Sequence, residues 1–208
     1  MSGRCRDEVT SRTGRVVMFQ TRFHGRGGQG VVTAAELLSV AAFDQGRHSQ
    51  ALPSFGSERT GAPLVAYCRI DDHPIRSHDP VSAPEAVVVQ DPTMLHIPGV
   101  LDDIAEGGVV LVNSTRTPSE LGLDHLPARV VTVPAAELAR QRLGRPLPNT
   151  CLLGALAGLT GVVDLPALQL AMRERFSGEA GDLNAQLAAD GFELVRVGPQ
   201  GVRRAQAG

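Results

Sequence analysis

The sequence predicts an α/β protein: a layered, Rossmann-like and mostly parallel sheet with flanking helices and a β-hairpin. Three observations carry that expectation. Ala86-Val-Val-Val-Gln90, Gly108-Val-Val-Leu-Val-Asn113 and Val130-Val-Thr-Val133 are continuous apolar runs, the pattern of strands covered on both faces of a parallel sheet. From Ala135 onward the composition turns to alanine and leucine, which favour helices. Near the start, a β-branched and aromatic run passes through a glycine cluster into a long helical pattern, a strand–turn–helix unit.

In chain order, residues 1–14 are polar and rich in arginine and serine and read as a disordered N-terminal segment. Arg15 to Phe23 has the composition of a first strand, His24 to Gly30 is a glycine turn, and Val31 to Gly46 reads as a helix with Gly46 as its stop. Arg47 to Leu52 is a second strand. Pro53 to Pro63 is too rich in glycine and proline to be regular and is a loop. Leu64 to Asp71 returns to strand character, and Asp71-Asp-His-Pro74 is a turn leading to a short run at Ile75-Arg76, which predicts a hairpin. A helix is expected between the strands at 86–90 and 108–113. Further helices are expected at Ala135 to Leu143, Thr150 to Leu159, Pro166 to Phe176 and Gly181 to Ala189, the last ending before Gly191. Residues 15–197 are read as a single domain and 198–208 as a frayed tail.

At 208 residues, with 42% hydrophobic and 20% charged positions, the chain buries enough core to need neither disulfide staples nor a structural metal. Every one of its 20 basic residues is arginine, so Schiff-base lysine chemistry is excluded. A net charge of -2 and scattered phenylalanines argue against a nucleic-acid surface. Cys5, Cys68 and Cys151 are too far apart in sequence to form a Cys-x-x-Cys or ferredoxin-like run, so any iron-sulfur cluster belongs to a partner. The odd thiol count and the polar start point to the cytoplasm. No apolar run approaches the roughly 20 residues of a membrane span. The six histidines show no ligand spacing and no Gly-x-Ser-x-Gly elbow exists, so no metal site and no catalytic residue is assigned.

Gly25-Arg26-Gly27-Gly28-Gln29-Gly30 satisfies the dinucleotide pattern Gly-x-Gly-x-x-Gly in the required place, after a strand and before a helix. Unpaired N–H groups and the helix dipole there favour a phosphate, with Arg26 as an extra partner. The acidic residue expected about 20 positions later to hold the ribose of NAD is missing, which disfavours that cofactor. A turn that merely packs the helix closely on the sheet is the second reading, and both stay open. The loop from Pro53 to Pro63 offers Ser57, Glu58, Arg59 and Thr60 in a glycine frame, suited either to gripping phosphate or to a solvated charged surface.

The run from Phe23 to Leu38, the run from Pro53 to Ile70 and the triplet Pro148-Asn149-Thr150 resemble, in order and spacing, the gamma subunit of the 2-oxoacid:ferredoxin oxidoreductases, pyruvate synthase type. The resemblance spans about Val16 to Gly191. It implies one subunit of an oxidoreductase, inactive alone, that works with alpha, beta and delta-type subunits and reaches ferredoxin through them. Thiamine diphosphate and 4Fe-4S clusters are then held by the partners, while this chain helps to bind coenzyme A through its glycine turn, Gln29, Ser57, Arg59, Thr60 and Asn149. The alternatives are a docking subunit without coenzyme A contacts and a stand-alone nucleotide-binding oxidoreductase.

Overall fold

The computed structural model describes residues 18–53, 60–77 and 79–197. Its strands are β1 (Phe19–Arg26), β2 (His48–Pro53), β3 (Pro63–Asp71), β4 (Ala86–Val89), β5 (Val109–Asn113) and β6 (Arg129–Val133). The helices are α1 (Val31–Asp44), α2 (Ala135–Leu143), α3 (Asn149–Thr160), α4 (Leu165–Arg175) and α5 (Glu179–Val197). One six-stranded sheet results, in the order β2-β3-β1-β4-β5-β6. Only β3 runs against the rest, antiparallel to both β1 and β2, so the sheet is mixed but mostly parallel as expected.

Alternation of side chains gives the sheet two unlike faces. Phe23, Cys68, Ile70, Val88 and Leu111 point to one side, where residues of all five helices complete a continuous apolar core. Val87, Val89, Val110 and Val112 point to the other, where Met94, Val100 and Leu123 of the connecting segments cover them. The apolar runs of β4 and β5 are therefore strands buried on both faces as expected, although α-helices cover only one, whereas β6 lies at the sheet edge and is only half-buried.

Several boundaries depart from the sequence expectation. β1 continues past Phe23 to Arg26, because Gly25 and Arg26 still have Leu64 and Pro63 of β3 opposite them in the ladder. Ile75-Arg76 forms no strand, and β3 pairs instead with β2 before it and with β1. The reason is geometric: β3 already has β2 on one edge and β1 on the other, which leaves no edge for a further hairpin arm. Between β4 and β5 there is no α-helix but a single 3-10 turn, Pro92–His96, started by Asp91 and ended before Pro98-Gly99. The last helix does not stop before Gly191 but runs through it to Val197. Residues 1–14 and the tail at 198–208 lie outside the described residues.

Gly191 is tolerated in mid-helix because α5 crosses α3 in backbone contact. A β-carbon at Gly191 would overlap the carbonyl oxygen of Cys151, and one at Gly154 that of Ala188. The intrinsic helix penalty of glycine is thus offset by packing that no other residue permits. Gly191→Ala is expected to destabilise the chain by about 1–3 kcal/mol despite alanine's better helix propensity, lowering the melting temperature by about 2–4 °C for each kcal/mol. Thermal unfolding followed by circular dichroism reads this directly, and an unchanged or raised midpoint would contradict the contact.

Candidate functional site

β1 and β4 are parallel neighbours whose connections leave in opposite directions, β1 through α1 to β2 and β4 to β5. In open α/β sheets the crevice beyond the carboxyl ends of two such strands is the usual ligand site. Around that crevice lie the glycine turn, the start of α1, Gln90 and Asp91 at the end of β4, and Asn149 at the start of α3.

The turn is shaped by glycine at particular positions. A β-carbon at Gly25 would press on Val31 and on the side chains of Gln29 and Gln90. Gly28 and Gly30 have φ of 94° and 73°, in the left-handed region that favours glycine. Gly30 also receives Asn149, whose amide nitrogen sits where a β-carbon would be and lies 3.5 Å from the Gly30 carbonyl oxygen. The beginnings of α1 and α3 therefore touch. Neither helix has a side-chain cap or an acidic residue in its first turn. Both present the positive ends of their dipoles, and first-turn N–H groups without a side-chain cap among the described residues, to the same corner.

Arg26 and Gln29 are engaged within the turn rather than left free. Arg26 pairs through Nε with Asp91 Oδ2 at 3.1 Å and donates through its terminal nitrogens to the Gly61 carbonyl and Thr93 Oγ1. Gln29 accepts the Arg26 backbone N–H on Oε1 at 2.8 Å and donates to Asp91 Oδ2 at 3.1 Å. Burial alone would raise the Asp91 pKa, but the donors from Thr93, Gln29 and Arg26 outweigh it and hold the carboxyl below its usual range. The loop before β3 is clipped to the same turn, Gly27 N–H to the Ala62 carbonyl at 2.9 Å and Gly61 N–H to the Gly27 carbonyl at 3.0 Å.

Of the residues singled out from sequence, Gly25, Arg26, Gly27, Gly28, Gln29, Gly30, Thr60 and Asn149 gather here, with Thr60 bridged to Gly27. Ser57 and Arg59 lie outside the described residues. Sequence reading missed Asp91, Thr93 and Gln90. Asp91-Pro92-Thr93 carries a readable signal, a capping aspartate before proline, and its side chain does accept the Thr93 N–H. Gln90, only 1% exposed, gave none; its backbone is bonded to His24 and Asn113, while its buried side-chain amide has no partner among the described residues.

On the opposite face of β1, Arg22 reaches the Asp102 carbonyl and Arg69 of β3 those of Ser77 and Asp79, so buried guanidiniums pin the covering segments to the sheet. Cys68 and Cys151 are free buried thiols, and burial pushes the Cys151 pKa up to about 12, away from reactivity. No helix among the described residues is long and apolar enough to cross a membrane.

The fold and this corner define a mixed α/β protein that sets two uncapped helix starts at its reversal of strand order. A sequence model of the pyruvate ferredoxin/flavodoxin oxidoreductase family matches residues 20–194. The pyruvate/ketoisovalerate oxidoreductases common subunit gamma of Thermococcus litoralis is 46% identical over 182 residues, covering 86% of this chain and 98% of its own. Pyruvate synthase subunit PorC of Methanothermobacter marburgensis is 45% identical over 179 residues, again 86% of this chain and 98% of that one. The crystal structure of pyruvate oxidoreductase subunit PORC from Thermotoga maritima superposes with a TM-score of 0.76 at 35% identity, covering 85% of this chain and 96% of that chain. The chain belongs to the pyruvate ferredoxin/flavodoxin oxidoreductase family, as a gamma-type subunit of a 2-oxoacid:ferredoxin oxidoreductase.

His24 is buried in β1 with Nε2 unpartnered among the described residues, and burial, with Arg22 nearby, pulls its pKa down to about 4. Its folded value is depressed, so the unfolded chain binds the extra proton between pH 6.5 and 4, and stability is lost as pH falls through that window. The loss attributable to His24 is about 3 kcal/mol by pH 4. His24→Gln should remove it, which urea unfolding at pH 7 and pH 4 measures. The same pH dependence in both proteins would show that His24 is not the cause.

Proposed function

We propose that this subunit holds the phosphate-bearing nucleotide end of coenzyme A where α1 and α3 begin, and presents it to a 2-oxoacid reaction, with pyruvate as the substrate, on partner chains. Alpha, beta and delta-type partners would carry thiamine diphosphate and 4Fe-4S clusters, which supply decarboxylation and electron transfer towards ferredoxin. This chain contributes no acid, base or nucleophile; its work is to bind, orient and exclude water from one co-substrate. The proposed setting is the cytoplasm, where free buried thiols such as Cys68 and Cys151 are the norm.

The observation that carries the reading is the contact of Asn149 with Gly30, which brings two uncapped helix N-termini to one corner. Converging N–H groups and dipoles favour a phosphate over any neutral ligand. The name of the Thermococcus litoralis relative gives independent support, since it marks a subunit common to pyruvate and ketoisovalerate oxidoreductases. A chain shared between enzymes for two oxoacids is suited to what their reactions share, the acyl acceptor, rather than to choosing the oxoacid.

A second reading has its own observation. Arg26 and Gln29 are taken up by Asp91 inside the turn, as a purely packing and docking role would have it. Asn149→Asp separates the two. It is nearly isosteric and acceptable at a helix start, exchanges the amide that faces the Gly30 carbonyl for an oxygen, and places a negative charge beside the corner where the phosphate would sit. In the assembled oxidoreductase the KM for coenzyme A should rise about tenfold, equivalent to about 1.4 kcal/mol, with the oxoacid KM unchanged. An unchanged KM for coenzyme A in a fully assembled variant would favour the docking reading.

A further inference from the structure

We infer that Asp91 is a positioning residue for the co-substrate: from the end of β4 it fixes Arg26 and Gln29 so that the glycine turn meets coenzyme A already in its binding shape. The inference rests on the coenzyme A reading and adds to it a residue that reaches the ligand only through others.

The two carboxylate oxygens divide the work. Oδ1 accepts from the backbone N–H of Thr93 at 3.0 Å and from its hydroxyl at 2.7 Å, which caps the 3-10 turn and orients the carboxylate. Oδ2 reaches across the crevice to the other strand, to Arg26 Nε and Gln29 Nε2. A cap alone needs only the first oxygen; the second spans from β4 to the turn after β1. Gln29 returns the link through its own oxygen to the Arg26 N–H, and Thr93 Oγ1 takes Arg26 Nη2 at 2.7 Å. The result is a closed ring of Asp91, Arg26, Gln29 and Thr93.

Three of the five guanidinium N–H groups of Arg26 are used in this ring and on the Gly61 carbonyl, and among the described residues one on each terminal nitrogen has no partner. The arginine side chain is about a third exposed and its carboxylate partner mostly buried. The charge pair is therefore anchored at its inner end and open at its outer end. Ordering a long arginine side chain before the ligand arrives removes an entropy cost that binding would otherwise carry. Arg26 of the same ring also bonds the Gly61 carbonyl, so Asp91 supports the clip between Gly27 and Gly61 as well.

The test uses the assembled oxidoreductase and steady-state kinetics with coenzyme A and the oxoacid varied separately. Asp91→Asn keeps the size and the cap but turns one oxygen into a donor that faces other donors. The expected result is a rise of about tenfold in the KM for coenzyme A, with kcat at saturating coenzyme A and the oxoacid KM within twofold. In an Arg26→Ala background, Asp91→Asn should add less than about twofold, because the two act through one another. If Asp91→Asn prevents assembly, Thr93→Val, which removes one side of the ring, should raise the KM for coenzyme A about threefold, and an unchanged value there would overturn the inference. A normal KM in Asp91→Asn alongside a raised one in Asn149→Asp would overturn the positioning role and leave the coenzyme A reading standing. Normal values in both would overturn both. Independent multiplication of the effects, or a parallel fall in kcat, would show that Asp91 serves only structure.

Discussion

The missing β-carbon at residue 30 is the constraint on which this architecture turns. Gly30 adopts a left-handed backbone that starts α1, and its bare face is where the amide of Asn149 is seated. Any side chain there would be strained by φ and would collide with the first residue of α3. Moving α3 would disturb more than one contact, because α3 is pressed against α5 through Gly154, Gly158 and Gly191, with backbone meeting backbone. The helical layer is thus set from the glycine turn outward, and the corner where two helix starts meet is a product of the same close packing.

This bears on the two meanings a glycine pattern can have. Close packing and anion binding are usually offered as rivals, but here one produces the other. Gly25 is required by its neighbours and Gly30 by both Asn149 and its backbone angle, whereas the exposed Gly28 has room around it and needs glycine for its backbone angle. The turn leaves α1 without a side-chain cap, and unsatisfied N–H groups at a helix start are stable only when water or a ligand completes them. Arg26, which the pattern suggests as a free phosphate partner, is instead balanced by Asp91. The positive character of the corner therefore comes mainly from the backbone.

Much of the fold was legible because its signals are local. The valine runs of β4 and β5, the bounds of α2 and a glycine turn between β1 and α1, although it begins after Arg26 and not at His24, follow from the period of apolar residues and from glycine. What failed was set by distant contacts. Ile75-Arg76 looked like a hairpin arm, but both edges of β3 were already taken, one by β2 and the other by β1 from far back in the chain. Gly191 looked like a helix stop, but its conformational cost is outweighed by a contact 40 residues away with Cys151. The β4 side of the site was equally hidden. Asp91 and Gln90 matter only because β4 lies beside β1, and no pattern in a single sequence states that adjacency.

The central claim, that an anionic co-substrate is held where α1 and α3 begin, is tested most directly by amide hydrogen exchange on the assembled oxidoreductase with and without coenzyme A. Slowed exchange is expected at the starts of both helices, around Val31 to Thr33 and Asn149 to Leu152, with little change at the ends of α4 and α5. Protection confined to the partner subunits, with both helix starts exchanging as before, would contradict it.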